Sequence, residues 1–478
     1  MKKTIKFGTD GWRGVIGEDY TFENVRICAQ GVANYLHNRG IAAQGLVVGY
    51  DTRFASEDFA AAVAEVVAAN GIKVYLNPAP APTPVISYAI VAKKAAGAVI
   101  ITASHNPAIW SGFKYKPEYA GSASPEVTAE LESNIAQVIS NEEVKRLPLE
   151  DGLSQGLIEH YDPAPVYLSH IAKLVDIERI RQAGLVIAID SMYGSGAGYF
   201  KQLLTGGTTE VIEINDERNP LFPGIQPEPI SQNLTRLSGM IKDSNIDIGL
   251  ATDGDADRIG ILDENGKFVT QLQVFALLAL YLLEVRGERG ALVKSITTSD
   301  MIFRLGEIFS VPVFETPVGF KYIGPKMMAE NALIGGEESG GFGFRGHIPE
   351  RDGMLAALYI LDFMVRLKKK PSELIEYLYD KVGVHHYDRK DFHFHKEEYT
   401  EKQDEISQHL SQFKPGQIDT AAVTSIDTFD GFRYRLSDGS WLLIRLSGTE
   451  PLLRIYAESD SLAHVERLLA AGKKLAGI

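Results

Sequence analysis

A strand–helix–strand–helix–strand pattern occurs three times along this chain, and each occurrence ends in a polar or glycine-rich loop. The first unit begins at Leu46, the second at Leu185 and the third near Gly290. Strands that alternate with helices form parallel sheets, whose ligand sites lie beyond the carboxyl ends of the strands. The pattern therefore predicts three similar α/β domains, and their final loops converge on one cleft if the sheets are oriented alike. The alternative is three unrelated α/β segments that end in ordinary turns.

The chain changes character at about residue 390. Strand-like runs at residues 434–436 and 441–444 flank an Asp438-Gly439 pair, which is typical of a tight hairpin turn. An amphipathic helix over residues 461–475 follows near the end of the sequence. We therefore expect a smaller α+β domain after the three similar mixed-sheet domains. The expected limits of the four domains are residues 1–155, 156–288, 289–389 and 390–478.

The composition is that of an ordinary globular protein, with 45% hydrophobic and 23% charged residues among 478. A net charge of −14 argues against a nucleic-acid partner and means that an anionic substrate must be met by a local positive site. The longest apolar run, residues 274–283, is too short to span a bilayer, and the first residues do not resemble a signal peptide. The single cysteine, Cys28, excludes an internal disulfide and fits a core position. We expect a cytoplasmic monomer or homodimer without membrane partners.

Ser104 lies just past an apolar strand, in a polar loop that ends at Pro107. A serine at that edge of a sheet can be a nucleophile, a phosphate carrier or only a turn residue. The sequence around it lacks the Gly-x-Ser-x-Gly elbow, which disfavours a hydrolase triad.

Asp253, Asp255 and Asp257 alternate in the loop after the last strand of the second unit. Carboxylates so close together repel one another unless a cation lies between them, and oxygen ligands suit a hard divalent ion. An EF-hand is excluded because Arg258 stands where that loop requires glycine and because the flanking runs read as strands. We favour Mg²⁺, which pairs readily with phosphate oxygens.

Three further sets of residues can contact a polar or anionic ligand, although the glycine-rich loop can be only a flexible turn and the two lysines only solvated surface residues. In the glycine-rich loop of the third unit, Glu337 and Ser339 offer hydrogen-bonding groups for sugar hydroxyls. Lys114 and Lys321 are basic residues near the first and third loops. A strand in the last domain runs into a polar loop that can bind a phosphate through arginine guanidinium groups, hydroxyls and backbone amides. The alternative is a charged edge strand that ends in a turn. The residues of this loop and its flanks are Arg445, Ser447, Gly448, Thr449 and Arg454.

Taken together, the four loops resemble the four signatures of the α-D-phosphohexomutase family (phosphoglucomutase, phosphomannomutase and relatives), in the family's order. They are residues 102–107 (Thr-Ala-Ser-His-Asn-Pro), 253–258 (Asp-Gly-Asp-Ala-Asp-Arg), 336–340 (Gly-Glu-Glu-Ser-Gly) and 445–451 (Arg-Leu-Ser-Gly-Thr-Glu-Pro). Residues 7–14 also resemble the start of the family's chains, with Arg13 reaching the active site. The resemblance implies four domains around a central cleft.

The resemblance also implies a role for each set of residues. Ser104 would be the phosphoserine and would complete the Mg²⁺ site of Asp253, Asp255 and Asp257. Lys114 would assist proton transfer, and the expected catalytic set also includes Arg13, His105 and Arg258. The sugar would be bound by Glu337 and Ser339, with Gly336 and Lys321 beside them. The phosphate that does not react would be held by Arg445, Ser447, Gly448, Thr449 and Arg454.

The implied reaction passes the phosphate of Ser104 to a hexose phosphate, forms a 1,6-bisphosphate that turns over, and returns the other phosphate to the serine. The leading substrate pair is glucose 1-phosphate and glucose 6-phosphate, with glucose 1,6-bisphosphate as intermediate and activator, because Glu-Glu-Ser resembles phosphoglucomutases. The alternatives are a phosphomannomutase or dual enzyme, a hexose-1,6-bisphosphate synthase and, remotely, a non-catalytic sugar-phosphate binding protein. Two departures from the family pattern stand out: Gly341 replaces a histidine common in dual-specificity members, and Ser111 precedes Gly112 where asparagine is frequent.

Overall fold

The first domain is built on a six-stranded sheet with helices on both faces. The computed structural model describes residues 5–8, 10–141, 143–395, 397–447 and 451–478. Helices α1, α2 and α4 pack on one face of this sheet and α3 on the other, which is why its central strands are apolar throughout. The strand order is β1-β5-β4-β2-β3-β6. The elements are β1 Trp12–Val15, α1 Phe22–Asn38, β2 Leu46–Tyr50, α2 Ser56–Ala69, β3 Val74–Leu76, α3 Thr83–Lys93, β4 Gly97–Ile101, β5 Trp110–Pro117, α4 Pro125–Asn141, α5 Leu149–Ser154 and β6 Ile158–His160.

The second domain repeats this arrangement with a five-stranded sheet in the order β11-β10-β9-β7-β8. Two helices precede the sheet and lead into β7, which lies between β9 and β8. The elements are α6 Ala164–Leu174, α7 Ile177–Arg181, β7 Val186–Asp190, α8 Tyr199–Leu204, β8 Glu210–Ile214, α9 Thr235–Lys242, β9 Ile248–Thr252, β10 Ile259–Leu262 and β11 Phe268–Val269.

The third domain has a four-stranded sheet in the order β13-β12-β14-β15. Its first helix continues into a π-helical turn, Tyr281–Val285, and this apolar segment is buried in the largest core of the molecule. The elements are α10 Gln271–Leu280, β12 Leu292–Ser295, α11 Met301–Phe309, β13 Val313–Thr316, α12 Phe320–Glu330, β14 Ile334–Gly336, β15 Phe342–Phe344, α13 Gly353–Leu367 and α14 Pro371–Val382.

The three domains share one topology, which confirms the threefold repeat expected from the sequence. In each, the first strand of the unit lies between the second and third and is parallel to both. A fourth strand then pairs antiparallel with the third: β5 with β4, β10 with β9 and β15 with β14. The turn between the third and fourth strands is therefore the same structural position in all three domains.

The fourth domain is the smaller α+β unit expected from the sequence, an antiparallel sheet in the order β16-β21-β20-β19-β18-β17. Helix α16 packs against β16, β20 and β21 over a separate small core. The elements are β16 His386–His393, α15 Tyr399–Gln412, β17 Gln417–Ile418, β18 Ala421–Asp427, β19 Phe432–Leu436, β20 Trp441–Leu446, β21 Leu452–Ser459 and α16 Leu462–Leu475.

At two of the domain limits expected from the sequence an element packs with the domain on the other side, and the third limit falls inside a strand. Strand β6 pairs with β3, so the first sheet continues past residue 155. Helix α10 packs against α11, α13 and α14, although it precedes residue 288. Residue 389 falls inside β16, a largely exposed, polar edge strand that lacks the apolar alternation by which strands are recognised.

Two expectations about single features can be compared with the fold. Cys28 is buried in α1, as expected for a core cysteine. In the part of the chain that the structure describes, no helix combines the length and apolar character needed to cross a membrane.

Candidate functional site

The turns between the third and fourth strands of the first three domains meet one another. We call them the serine loop (residues 102–109), the metal loop (residues 253–258) and the sugar loop (residues 337–341). A methyl group on Gly254 would lie 2.5 Å from the carbonyl oxygen of Ser104, so the metal loop touches the serine loop at a position that requires glycine. The amide of Ile259, which follows the metal loop, donates to the carbonyl of Gly340 in the sugar loop (3.1 Å). The expected convergence of the three loops is therefore observed.

Ser104 is held in a defined orientation at the centre of this junction. Its backbone is left-handed (φ 53°), its amide donates to Oγ1 of Thr102 (2.9 Å), and its side chain is almost fully buried. The hydroxyl donates to Oδ2 of Asp253 (2.8 Å), and Nδ1 of His105 lies 3.3 Å from the same Oγ. The serine oxygen is thus directed at the metal loop.

The serine loop is supported by Arg53, which is fully buried. Its guanidinium donates to the carbonyl oxygens of four residues of the serine loop and the start of β5, at 2.6–3.0 Å: Ser104, Asn106, Pro107 and Trp110. Asp51 pairs with Nε of Arg53 (3.2 Å). Because a guanidinium carries five donors in a rigid fork, one side chain can fix the whole loop.

The three aspartates of the metal loop form a fully buried group whose carboxylate oxygens lie within 4.8 Å of one another. Burial raises the pKa of Asp253 well above its ordinary value, and the charges of Asp257 and Asp255 add to the effect. Asp255 Oδ1 and Asp257 Oδ1 are buried without a hydrogen-bond donor. Orphaned carboxylate oxygens in a crowded acidic group fit a divalent cation such as Mg²⁺, which prefers oxygen ligands.

Lys114, on β5, partly balances this negative charge. Its Nζ lies 2.8 Å from Asp10 Oδ2, 2.7 Å from Asp255 Oδ2 and 3.4 Å from Asp257 Oδ2. Burial acts to lower the pKa of Lys114, but the three aspartates outweigh burial and raise it above the ordinary value. Lys114 is therefore an ammonium group beside the metal loop.

Replacing Lys114 with methionine should lower kcat by about 100-fold or more if Lys114 assists proton transfer, as the family resemblance implies, because the ammonium group beside the metal loop is lost. The variant should also unfold at a lower temperature, since buried aspartates lose their partner. Lys294→Met is a matched control: Lys294 is equally buried and pairs with Asp300 and Glu315 at 3.3 and 3.1 Å in the third domain. Equal losses of kcat in both variants, measured with unfolding temperatures, would show that Lys114 acts only on stability.

Three further residues of the expected catalytic set lie at the same junction. Nη1 of Arg13 donates to Asn106 Oδ1 (2.7 Å) in the serine loop. The amide of Arg258 donates to Asp253 Oδ1 (3.1 Å), and its guanidinium pairs with Glu228 (3.3 Å). Burial and four nearby cations lower the pKa of His105 well below its ordinary value, so its imidazole is neutral at pH 7.

The sugar loop places Glu337 close to the metal loop. Glu337 Oε1 lies 3.4 Å from Nη1 of Arg351, and Oγ of Ser339 is 3.5 Å from the same oxygen. Gly336, the last residue of β14, faces the ring of Phe275, which leaves no room for a side chain there. Lys321 lies in the first turn of α12 with its ammonium 5.3 Å from the Tyr322 ring, and burial lowers its pKa. The roles of Glu337, Ser339, Gly336 and Lys321 in sugar binding all stay predictions.

The expected phosphate loop joins β20 to β21, and three of its residues, Gly448, Thr449 and Glu450, lie outside the described residues. Arg445 Nε pairs with Asp430 (2.9 Å), and Arg454 Nε lies 3.5 Å from Asp391. The hydroxyl of Tyr399 donates to the carbonyl of Ser447 (2.5 Å).

A chain of charges connects this fourth-domain site to the sugar loop. Arg389 pairs with Asp391 (2.9 Å) and also with Glu338 in the sugar loop (2.8 Å).

Several residues at the junction were not identified from the sequence. Asp10 contacts Lys114, Lys116 and Arg351, and Thr83 donates to Asp255 Oδ2 (2.6 Å). Arg53 could have been identified from the sequence, because it follows the first strand of its unit and so lies at the same sheet edge as Ser104. Asp10 lies in the stretch that resembles the family's start, but nothing in its local pattern indicates three cationic partners.

Comparison with known proteins agrees with this geometry. The chain matches the models of phosphoglucomutase/phosphomannomutase α/β/α domains I, II and III at residues 4–142, 165–266 and 271–382, and that of the C-terminal domain at residues 398–473. It is 31% identical to a phosphoglucomutase/phosphomannomutase from Thermococcus kodakarensis, covering 98% of both chains. It is 31% identical to a probable phosphoglucosamine mutase from Methanothermobacter thermautotrophicus, over 96% of this chain and 95% of that protein.

A solved structure shows the same fold over the whole chain. The crystal structure of a protein from Thermus thermophilus that carries the name phosphomannomutase superposes with a TM-score of 0.85 at 33% identity and covers 100% of both chains. Four family domains in order, relatives that match nearly the full length, and a junction that joins a serine, three carboxylates and a sugar loop all agree. The chain therefore belongs to the α-D-phosphohexomutase family, the enzymes that move a phosphate between positions of a hexose.

Proposed function

We propose that the protein is a phosphoglucomutase that interconverts α-D-glucose 1-phosphate and glucose 6-phosphate through a phosphoserine at Ser104. The observation that carries the proposal is the hydroxyl of Ser104, 2.8 Å from Asp253 in a buried group of three aspartates and surrounded by cationic side chains. Phosphoryl transfer depends on positioning and charge neutralisation more than on covalent chemistry. A serine oxygen that is fixed in position and surrounded by positively charged side chains provides both the positioning and the charge neutralisation.

Asp253, Asp255 and Asp257 would hold Mg²⁺, and the two orphaned buried oxygens of this group support the assignment. When bound, the ion would neutralise charge on the phosphate carried by the serine. Three positively charged side chains at the junction would stabilise the equatorial phosphate oxygens during transfer: Lys114, Arg13 and Arg258.

The transfer step balances with groups present at the junction. The bond between Oγ of Ser104 and phosphorus breaks while a bond forms between phosphorus and the hydroxyl oxygen of the sugar phosphate. The hydroxyl proton leaves the sugar, and the serine oxygen takes up one proton. We assign the exchange of those protons to the neutral imidazole of His105, 3.3 Å from Oγ, and to the ammonium of Lys114, which pairs with Asp255 of the metal loop.

The product of this step is glucose 1,6-bisphosphate, which must reorient before its other phosphate returns to Ser104. Glu337 and Ser339 would hold the sugar hydroxyls, with Lys321 and Gly336 near them. Arg445, Ser447, Gly448, Thr449 and Arg454 would hold the phosphate that is not transferred. The charge chain from Arg454 to Glu338 supports cooperation of the fourth domain with the sugar loop.

The choice of glucose rests on the Glu-Glu-Ser sequence of the sugar loop, which resembles phosphoglucomutases. Related proteins are named for glucose, mannose and glucosamine phosphates, so the alternatives are a phosphomannomutase or dual enzyme and a hexose-1,6-bisphosphate synthase. A synthase would use the same residues and release the bisphosphate.

Phosphorus NMR of the purified protein with Mg²⁺ tests this proposal. Glucose 1-phosphate, mannose 1-phosphate and glucosamine 1-phosphate are supplied separately, each with a trace of glucose 1,6-bisphosphate. We expect fast conversion of the glucose compound alone. Comparable rates with mannose 1-phosphate would identify a dual enzyme, and accumulation of bisphosphate would identify a synthase. Failure to convert any of the three would contradict the proposal.

A further inference from the structure

The space next to Gly341, the last residue of the sugar loop, is filled by the side chain of Arg351. A methyl group built on Gly341 would overlap Cδ of Arg351 and lie 2.7 Å from its Cγ. The backbone of Gly341 is not in the left-handed region, so an alanine there would meet no backbone strain. Glycine at this position is therefore explained by the arginine, which occupies the volume of any side chain at position 341.

Arg351 makes ion pairs with residues of all three loop-bearing domains. Its Nη2 lies 2.6 Å from Asp10 Oδ2 and 2.8 Å from Asp257 Oδ2, and its Nη1 lies 3.4 Å from Glu337 Oε1. Its Nε lies 3.3 Å from Oε1 of the neighbouring Glu350. The side chain is 6% exposed. One buried guanidinium thus joins the stretch before β1, the metal loop and the sugar loop.

The same side chain also contacts the start of α12. The guanidinium carbon of Arg351 lies 5.6 Å from the centre of the Phe320 ring, and Phe320 is the residue before Lys321. Two parts of the expected sugar site, Glu337 and the first turn of α12, therefore rest against one arginine.

We propose that Arg351 is a positioning residue for sugar-phosphate binding, which holds Glu337 of the sugar loop in register with Asp257 of the metal loop. This inference rests on the proposed function, because it names the side chain that aligns the sugar with the phosphoryl group. A planar guanidinium with five donors can hold several carboxylates in a fixed arrangement, whereas the ammonium of lysine rotates on a flexible stem and fixes their relative positions less well. The requirement for glycine at position 341 follows from this role, since a side chain there would displace the guanidinium of Arg351 from its carboxylate partners.

A double-mutant cycle between Gly341 and Arg351 tests this proposal. Gly341→Ala should raise the KM for the sugar phosphate and lower kcat/KM by about tenfold or more, because the methyl group pushes the guanidinium away from Glu337. Arg351→Ala should cause at least as large a loss. In the Arg351→Ala background, adding Gly341→Ala should change kcat/KM by less than about twofold, because the space is already empty. Equal effects of Gly341→Ala in both backgrounds would overturn the proposal.

A second pair of measurements separates positioning from stability. Arg351→Lys keeps the charge and should recover part of the kcat/KM lost in Arg351→Ala, with the remaining defect in KM. Arg286→Met is the matched control: Arg286 pairs with Glu288 (2.7 Å) and donates to the carbonyl of Leu174 (2.7 Å), both away from the loops. It should lower the unfolding temperature without changing KM. A KM change in the control as large as that in the Arg351 variants would contradict a positioning role.

The cycle also covers the case in which Arg351→Ala does not fold. Gly341→Ala and Arg351→Lys are milder changes, and kcat/KM values within about twofold of the unaltered protein for both would overturn the proposal. Failure of the proposed function would give a different result, because the unaltered protein itself would then convert no hexose phosphate.

Discussion

Ser104→Ala is expected to reduce mutase turnover by at least about four orders of magnitude while leaving the fold intact. The hydroxyl that would carry the phosphate is removed, and no other oxygen at the junction occupies its position 2.8 Å from Asp253 Oδ2 among the described residues. The backbone cost is small, because serine already adopts the left-handed conformation at this position. Turnover of glucose 1-phosphate, phosphate content of the purified protein and the unfolding temperature are the measurements.

Ser440→Ala is a suitable control for this variant. Ser440 is also buried and donates its hydroxyl to an aspartate, Asp438 Oδ1 (2.6 Å), but it lies in the hairpin turn of the fourth domain. Its loss should leave turnover unchanged. Turnover of Ser104→Ala close to that of the unaltered protein would refute the role of Ser104 as phosphate carrier.

Asp253→Asn is expected to lower kcat by about 100-fold or more and to weaken Mg²⁺ binding, because an amide replaces a charged ligand. Mg²⁺ stabilises any protein that binds it only in the folded state, by about 2.7 kcal/mol at a concentration 100 times the Kd. The unaltered protein should therefore melt at a higher temperature with Mg²⁺ than with a chelator. The variant should lose most of this difference.

Without metal, the same substitution should make the protein more stable at neutral pH. Burial and the neighbouring Asp257 and Asp255 raise the pKa of Asp253 well above its ordinary value of 3.8. A carboxyl group with a raised folded-state pKa contributes stability below its unfolded pKa, and this contribution is lost as the pH rises through the folded-state value. The gain from asparagine should therefore be largest at neutral pH and should vanish below pH 3.8, where the carboxyl group is protonated in both the folded and the unfolded protein.

Chemical unfolding of the two metal-free proteins across this pH range measures the gain. Asp263→Asn is the control, because Asp263 is a buried aspartate of the same domain that accepts from the amides of Asn265 and Lys267 in a turn. Its response to Mg²⁺ should equal that of the unaltered protein. A metal-free Asp253→Asn protein that is less stable at neutral pH would show that the three carboxylates do not repel one another.

The sheets and the three loops were predictable because their signals are local. A buried parallel strand is a short apolar run, and a polar stretch directly after it marks the sheet edge where ligands bind. The alanine- and valine-rich run at residues 56–69, followed by Asn70-Gly71, predicts a helix, and α2 is found at Ser56–Ala69. Ser104 and the aspartates of the metal loop follow such runs, so their proximity could be inferred from the repeated topology alone.

The supporting residues could not be predicted in the same way, because their partners are distant in the sequence. Arg351 contacts Asp10, 341 residues earlier, and Lys116 is fully buried because Asp10 and Glu350 accept from it. Neither residue has a local pattern that distinguishes it from a solvated surface charge. The edge strand β16 was not predicted for a related reason: its sequence is polar, and only its pairing with β21 makes it a strand.

The distribution of the loops over three domains has a consequence for synthesis of the chain. A nascent polypeptide that has folded only its first domain contains Ser104 but neither the carboxylates of the second domain nor Glu337 of the third. Each domain packs its own strands, so an early domain can fold while later ones are still being made. The proposed phosphoryl transfer needs residues from more than one domain, so we expect an incomplete translation product that lacks the second and third domains to be unable to consume sugar phosphates.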